Sequence, residues 1–321
     1  GEPTRDELMR WLTGVDTKDE DGDGSSTDAR RVMGDPLHTK PLILEYAPAP
    51  SEGNRNPDSD VTVYMATNEG IMHAIDSDTG AEIFSFIPKQ QLARASTYFM
   101  NAATGFKDYG LDGPIASYFD DANGDGFLDP TQDTYIIVIG ERRGGRNYYA
   151  LDVTDRSNPV FKWQIVGGTG DFYELGQSWS LPLARKIKLN GVEKDVFVFA
   201  GGYDTTQDTE DTVRLGDTSG RAVYMVDVLT GELVWWAGKT GITGPAAGDP
   251  TPNLALSEMD YSMPSDLTAL DLNGDGFLDR IYVPNMGGQL FRIDFDNEGN
   301  SGAGSLATGH LFADLQKSAP T

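Results

Sequence analysis

A pattern of strands and turns recurs four times along this chain, and it limits the possible folds more than any other feature of the sequence. In each copy an apolar strand is followed by a glycine-containing turn, a second apolar strand that reaches an aspartate, and a further turn and strand. The copies begin at Val61, Thr134, Asp195 and Arg280, and their aspartates are Asp76, Asp152, Asp227 and Asp294. Such self-similarity predicts one supersecondary unit that is used repeatedly.

Each repeat is predicted to be a β meander of four strands. Within a copy, residues alternate between two faces, as Ile71, His73 and Ile75 do against the residues between them, which is the period of a β-strand. A further apolar segment precedes each copy; these segments read PLHTKPLILEY, GPIASYF, SWSLPLARKIKL and SDLTALDL. Four strands make one propeller blade, so we predict an all-β chain with four four-stranded blades over residues 35–321. Because propellers close with about four to eight blades, we expect these to be part of a larger propeller.

Residues 1–34 are predicted to form an N-terminal helix and an acidic linker. Thr4 can cap a helix over residues 5–12, with Glu7 at the third helical position as a capping box requires, and Gly14 ends it. Within the blades, the sequences Asp78-Thr79-Gly80 and Leu229-Thr230-Gly231 are predicted to be hairpin turns that place glycine at a positive φ.

Two nearly identical loops predict calcium sites at equivalent positions of the second and fourth repeats. Loop A, DANGDGFLD, spans residues 121–129, and loop B, DLNGDGFLD, spans residues 271–279. Calcium takes six to eight oxygen ligands, and a glycine at the sixth position lets the chain turn so that the seventh carbonyl points inward. The predicted ligands are Asp121, Asn123, Asp125, Phe127 (carbonyl) and Asp129 in loop A, and Asp271, Asn273, Asp275, Phe277 (carbonyl) and Asp279 in loop B.

The EF-hand interpretation fails for both loops. An EF-hand needs a bidentate glutamate at position 12 and flanking helices, whereas that position is Gln132 in one loop and Tyr282 in the other, and both loops lead into strands. Magnesium fits less well because it demands near-ideal octahedral geometry. The other interpretation is that both loops are ordinary Asn-Gly and Asp-Gly turns with solvated acids.

A third acidic segment, loop C, is DEDGDGSSTD at residues 19–28. It offers Asp19, Asp21 and Asp23, with Ser25 and Asp28 as further oxygen donors, but its spacing departs from that of the other two loops at the end. Both a calcium loop and a solvated linker remain open here.

Composition narrows the choice of partners. The chain has 25 basic and 50 acidic residues and a net charge of −25, which would repel phosphate backbones, so nucleic acid is not an expected partner. The same excess suits divalent cations, or simply keeps a secreted protein soluble. There is no cysteine and no apolar run that predicts a transmembrane segment.

Catalytic motifs are not apparent in the sequence. His38, His73 and His310 are far apart in the sequence, and no GxSxG, HExxH or Walker sequence occurs. The segment RRGGR at residues 142–146 is interpreted as a hairpin turn, with a binding patch as the other possibility. Trp163, Trp179, Trp235 and Trp236 are interpreted as core or blade-packing residues.

Several ordered motifs resemble the C-terminal domain of the PilY/PilC family of type IV pilus tip-associated adhesins and biogenesis factors. They are MGDPLHTKPLIL, YMATNEGIMHAIDSDTGAEIFSFIP, LDGPIASYFDDANGDGFLD, LGQSWSLPLARKI and LTALDLNGDGFLDRIYVPNMGGQLFRIDF. The resemblance implies a modified propeller similar to quinoprotein dehydrogenases, with a calcium loop that regulates pilus extension against retraction. Either loop A or loop B matches that regulatory loop.

The function favoured by these observations is a calcium-binding, non-enzymatic module for type IV pilus biogenesis, twitching motility and surface adhesion. The expected partners are pilin or minor pilins and a host or abiotic surface, and the expected location is the cell surface, at the pilus tip or outer membrane. The alternatives are a quinone-dependent dehydrogenase on the same fold and a generic calcium-loop propeller that binds ligands. The dehydrogenase would need a cofactor-stacking Trp and a calcium-bound catalytic Asp in the central channel.

Overall fold

The computed structural model describes residues 2–46, 60–101, 107–126, 128–208 and 216–315. It contains four sheets that follow one another along the chain, each built on an antiparallel meander of four successive strands, and the third has an additional fifth strand. The first blade is β1 (Leu42–Tyr46), β2 (Asp60–Ala66), β3 (Met72–Asp76) and β4 (Glu82–Phe86), and the second is β5 (Ile115–Asp120), β6 (Thr134–Gly140), β7 (Tyr148–Asp152) and β8 (Val160–Ile165). The third is β9 (Leu183–Leu189), β10 (Val192–Ala200), β11 (Ala222–Asp227) and β12 (Leu233–Lys239) with β13 (Leu254–Leu256), and the fourth is β14 (Thr268–Leu270), β15 (Arg280–Pro284), β16 (Gln289–Phe295) and β17 (Ala307–Asp314).

The cores lie between successive blades, which is the packing of a propeller. Strand β6 shows how one strand serves two cores. Its Ile137 and Ile139 pack with the first blade, whereas Ile136 and Val138 pack with the third, and all four are fully buried. Because side chains alternate across a strand, a nearly continuous apolar run fills both interfaces at once. The predicted all-β propeller with four blades is therefore confirmed.

The recurring aspartate closes the last hairpin of the first three blades. Asp76, Asp152 and Asp227 each accept a hydrogen bond from the backbone N–H of a threonine two or three residues later, at 2.9, 3.1 and 3.0 Å. In the fourth blade Asp294 instead pairs with Arg280 and Arg292, at 2.6 and 2.7 Å. The repeated aspartate therefore stabilises a turn in the first three blades, whereas in the fourth blade it forms ion pairs.

The third blade departs from the predicted four strands. Strand β13 adds to β12 as a parallel fifth strand, with Ala237 beside Leu254 and Lys239 beside Leu256. Asn253, just before β13, pairs with the backbone of Trp236 through both its side-chain oxygen and its N–H. This capping holds the returning chain against the outer edge of the blade.

The predicted N-terminal helix is present as α1 (Arg5–Leu12), and Thr4 and Glu7 form the expected capping box. Two short helices that the sequence analysis does not predict, α2 (Lys89–Leu92) and α3 (Ala95–Met100), connect the first blade to the second. Trp11 packs edge-on against Phe99 with ring centroids 5.6 Å apart, so α1 is anchored to α3. Among the described residues, no helix is both long and apolar enough to cross a bilayer.

Two of the hairpin turns provide a matched test of blade packing. Gly80 and Gly231 both have φ of 70°. A Cβ at Gly80 would meet nothing within 4 Å, whereas a Cβ at Gly231 would lie 2.6 Å from the ring of buried Trp163. We expect Gly80→Ala to cost about 1 kcal/mol for its left-handed backbone. Gly231→Ala should cost about 1–3 kcal/mol more because it overpacks the blade interface.

Urea unfolding of the two variants measures this difference directly. Trp163 is held in place by its indole N–H, which donates to the Val228 carbonyl at 2.8 Å, so it cannot swing away freely. Equal destabilisation by the two substitutions would show that the Trp163 side chain can move aside without loss of stability.

Candidate metal-binding loops

Loop A follows β5 and has its first carboxylate folded into its own backbone. The Asp121 side chain accepts hydrogen bonds from the N–H groups of Gly124 at 2.7 Å, Asp125 at 3.1 Å and Gly126 at 2.7 Å. Asn123 accepts from the N–H of Asp125 at 2.9 Å. Gly124 and Gly126 have φ of 72° and 79°, so the loop turns tightly around the Asp121 carboxylate.

Loop B follows β14 and repeats this arrangement. Asp271 accepts from Gly274 at 2.6 Å, Asp275 at 3.3 Å and Gly276 at 2.8 Å, and Asn273 accepts from Asp275 at 3.0 Å. These backbone N–H groups, first among them that of Gly276, lower the pKa of Asp271 below its ordinary value. The carboxylate therefore stays ionised, which is the form that a hard cation binds.

The two loops differ at the carboxylate that closes them. In loop B, Asp279 reaches back and accepts from the N–H of Leu272 at 2.7 Å. In loop A, Asp129 turns outward to the Thr131 N–H at 2.8 Å and to Gln132 at 2.7 Å, and these bonds, the Thr131 N–H first, lower its pKa.

Asp133 holds loop A closed in place of Asp129. It is buried, and its carboxylate accepts from the N–H of Ala122 at 3.0 Å and from that of Asp129 at 2.6 Å. Ala122 occupies the same place in loop A as Leu272 does in loop B. Asp133 cannot be recognised from the loop sequences, because the two nine-residue strings are almost identical and only the longer connection into β6 supplies the extra acid.

The seventh position of each loop was predicted to supply a backbone carbonyl. Phe127 lies outside the described residues. Phe277 forms a parallel bridge with Lys186 on β9, and the Lys188 ammonium lies 4.4 Å from the centre of its ring. The N–H of Leu278 also donates to the Lys186 carbonyl at 2.8 Å. Loop B is thus attached to the third blade as well as to its own.

Loop C is closed by a bridge between Val15 and Ala29. The oxygen atoms of Asp19, Asp21 and Asp23 come within 4.8 Å of one another, a grouping that no three acids of loop A or loop B reach where the structure describes them. Asp16 is almost fully buried and accepts from the N–H of Glu20 at 2.8 Å, which is the largest cause of its lowered pKa. The sequence supports a calcium site least clearly for loop C, yet of the three loops, as far as they are described, loop C has the carboxylates that lie closest together.

Loop B also forms part of a groove between blades. The groove has a volume of about 750 Å³, and its lining includes Tyr118 from β5, Arg185 and Asp195 from the third blade, and Asp275 and Phe277 from loop B. A change in the shape of loop B would therefore change the wall of this groove.

The sequence is similar to type IV pilus biogenesis factors named PilY1. It is 27% identical to the PilY1 of Pseudomonas aeruginosa strain PAO1 over 295 residues, which is 87% of this chain and 22% of that protein. It is 26% identical to a PilY1 homolog of Xylella fastidiosa over 242 residues, 74% of this chain and 14% of that protein. The chain thus spans at most about a fifth of the curated relatives it matches, and these similarities confirm the resemblance to the PilY/PilC family.

Solved structures give weaker likenesses. The C-terminal domain of Pseudomonas aeruginosa PilY1 matches with a TM-score of 0.49 and 24% identity, over 78% of this chain and 44% of that chain. A quinohemoprotein alcohol dehydrogenase of Pseudomonas putida matches with a TM-score of 0.37 and 17% identity, over 78% of this chain and 33% of that one. Both TM-scores are too low to bear on function. No protein-family model matches the chain.

Proposed function

We propose that this chain is a calcium-binding, non-enzymatic propeller module that acts in type IV pilus biogenesis at the cell surface. The calcium assignment is supported by two loops at equivalent blade positions, each folded around a first-position carboxylate that accepts hydrogen bonds from three backbone N–H groups. The pilus part is supported by the similarity to the PilY1 biogenesis factors over most of the chain.

In this proposal each loop supplies a cluster of hard oxygen ligands for one calcium ion. Loop B uses Asp271, Asn273, Asp275, the Phe277 carbonyl and Asp279. Loop A uses the matching residues Asp121, Asn123, Asp125 and the Phe127 carbonyl, with Asp129 predicted by sequence and Asp133 suggested by the geometry as the closing carboxylate. Loop C uses Asp19, Asp21 and Asp23.

Calcium in loop B would act on more than the loop itself. Phe277 and Leu278 are bonded to β9 through Lys186, and Asp275 lines the groove between the second and third blades. An ion that fixes the loop would therefore fix the groove wall. We propose that pilin or a minor pilin binds this end of the propeller. Calcium binding would then shift the balance between pilus extension and retraction. It would also affect surface adhesion at the pilus tip or outer membrane.

The calcium proposal is tested by titrating calcium into chelator-treated protein by calorimetry. We expect Asp121→Asn, Asp271→Asn and Asp21→Asn each to remove one binding event, because each loses a charged ligand. At a hundredfold excess over the dissociation constant, calcium at one site should stabilise the fold by about 2.7 kcal/mol. Asp78→Asn is the matched control, because Asp78 lies in an exposed turn outside the three loops. This variant should bind calcium as the parent protein does.

The closing carboxylates give a sharper comparison within the same titration. We expect Asp279→Asn to weaken loop B by about tenfold or more, because it removes a charge that faces the loop. Asp129→Asn should weaken loop A far less than Asp133→Asn does. Unchanged calcium binding in all loop variants would reduce the loops to turns and refute the proposed mechanism.

The pilus part needs a separate readout in cells. If the loops regulate pilus extension, cells that produce the Asp121→Asn, Asp271→Asn protein at parental levels should carry fewer surface pili. Normal piliation together with lost calcium binding would show that calcium binding by these loops does not regulate pilus extension. The alternative of a quinone-dependent dehydrogenase would instead predict dye-linked alcohol oxidation after addition of a quinone cofactor and calcium.

A further inference from the structure

The arginine-rich turn between β6 and β7 lies at the end of the second blade opposite loop A, because consecutive turns of a meander alternate between its two ends. Two of its arginines stack on a single tryptophan. The guanidinium carbons of Arg142 and Arg143 lie 4.5 and 4.9 Å from the centre of the Trp179 ring. The expectation that Trp179 is a core or blade-packing residue is only partly met, since it is half-buried and carries these cations.

The cluster is held rigidly from below. The Trp179 indole N–H donates to Gln177 Oε1 at 3.1 Å, and the ring lies against Tyr203 with centroids 5.0 Å apart. The backbone N–H of Arg142 donates to the Ser178 carbonyl and to the Ser178 hydroxyl, both at 3.2 Å. These contacts keep Arg142 at a φ of 49°, a left-handed conformation that costs energy for a residue other than glycine.

Neither guanidinium has a carboxylate oxygen within 4.0 Å among the described residues. Other arginines of the chain do pair with carboxylates, as Arg30 does with Glu69 and Arg221 with Glu174. The two carboxylates that act electrostatically on Arg142 have other partners: Asp112 binds His38 at 2.8 Å, and Asp266 accepts from the Leu181 N–H at 2.7 Å. The pKa of Arg142 is lowered, chiefly by burial and also by the neighbouring Arg143 charge.

We propose that Arg142, Arg143 and Trp179 form a binding site for a ligand carboxylate. Two fixed, adjacent guanidiniums repel each other until an anion lies between them, and a guanidinium matches the planar geometry of a carboxylate with two parallel hydrogen bonds. The ordered stack on Trp179 means that little side-chain freedom is lost on binding. The rings of Trp179, Tyr203 and Tyr109 would cover the apolar part of the ligand.

The charge of the surroundings selects a monoanion over a dianion. Asp112 and Asp266 act electrostatically on Arg142, and the whole chain carries a net charge of −25. A divalent phosphate would meet twice the repulsion that a single carboxylate meets. The proposal does not depend on calcium or on the pilus assignment, because its residues lie at the other end of the blade.

The test follows the five indole N–H signals of the protein by NMR while propionate is added. Trp179→Phe identifies the relevant signal. We expect propionate to shift it saturably, with a dissociation constant on the order of 1 mM or weaker. Arg142→Gln and Arg143→Gln should each weaken binding about tenfold, since each removes a charge-assisted contact. Arg146→Gln is the matched control, because this third arginine of the turn lies beside Gly167 and Gly168.

Each other outcome overturns the proposal in a distinct way. Equal shifts with the neutral isostere propionamide would mean that only the aromatic face binds. Tighter binding of inorganic phosphate would mean that the class of ligand is wrong, and the absence of a saturable shift would mean that there is no site. Arg143 is exposed, so its variant should fold, and unchanged positions of the other four indole signals verify this.

Discussion

Replacing Arg221 by methionine should destabilise the protein by about 3–5 kcal/mol at neutral pH, the largest effect expected of any single substitution considered for this chain. Glu174 is only 3% exposed, and Arg221 holds it with hydrogen bonds of 2.7 and 3.2 Å, one to each carboxylate oxygen. Without Arg221 the protein must bury an unpaired carboxylate. Urea unfolding of the parent and the variant measures the loss.

The loss should shrink as the solution is acidified. Burial raises the pKa of Glu174 above its ordinary value, while Arg221 is the main opposing influence, so the variant raises that pKa further. A carboxyl whose pKa is higher in the folded state binds its proton more tightly there, so folding stability falls as pH rises through that window. The deficit of Arg221→Met should therefore be largest at pH values above the raised pKa and smaller below it.

Two controls separate this explanation from a general packing defect. Arg280→Met breaks the more exposed pair with Asp294 and should cost much less. The double variant Glu174→Gln, Arg221→Met should recover much of the lost stability and lose the dependence on pH. A deficit that stays constant from neutral to acidic pH would contradict the role assigned to Glu174.

Removing the buried carboxylate of Glu141 should cost about 4 kcal/mol. Glu141 is 2% exposed and accepts hydrogen bonds from Tyr149 at 2.7 Å, from Gln91 at 2.8 Å and from the Asn147 N–H at 3.0 Å. Glu141→Ala would leave these donors without an acceptor inside the protein, and each such donor costs about 1–3 kcal/mol.

Tyr149→Phe is the graded control for this network. It removes a single donor, so it should cost about 1–2 kcal/mol and leave the other two bonds of Glu141 in place. Because Glu141 begins the turn that carries Arg142 and Arg143, Glu141→Ala should also reduce the propionate response of Trp179. A cost for Glu141→Ala no greater than that for Tyr149→Phe would show that water replaces the lost acceptor.

The sequence predicted the fold well because its signals are local. The strand alternation, the Asp-Thr-Gly turn and the capping box of Thr4 and Glu7 each depend on residues a few positions apart, and all three are present in the structure. The two short helices after β4 were missed because they begin without a side-chain cap.

The candidate sites depended more on the tertiary structure. Loops A and B look alike as strings, yet only the fold separates Asp279, which faces its loop, from Asp129, which faces outward. Asp133 became visible as the closing residue of loop A only through its contact with Ala122, 11 residues earlier in the chain. Hydrogen-bond partners of this kind depend on where the loop meets the next strand, and this position cannot be inferred from a short sequence motif.

By itself the sequence determined the repeated blades, their turns and the oxygen-rich loops, because periodicity and turn chemistry act between neighbours in the chain. Only the tertiary structure decided which distant charges meet. Glu174 pairs with Arg221 from 47 residues away, and Arg142 in the turn between β6 and β7 contacts Trp179 in the connection between the second and third blades. Such pairings are set by how the blades pack, because the packing determines which charged side chains from distant parts of the chain come into contact.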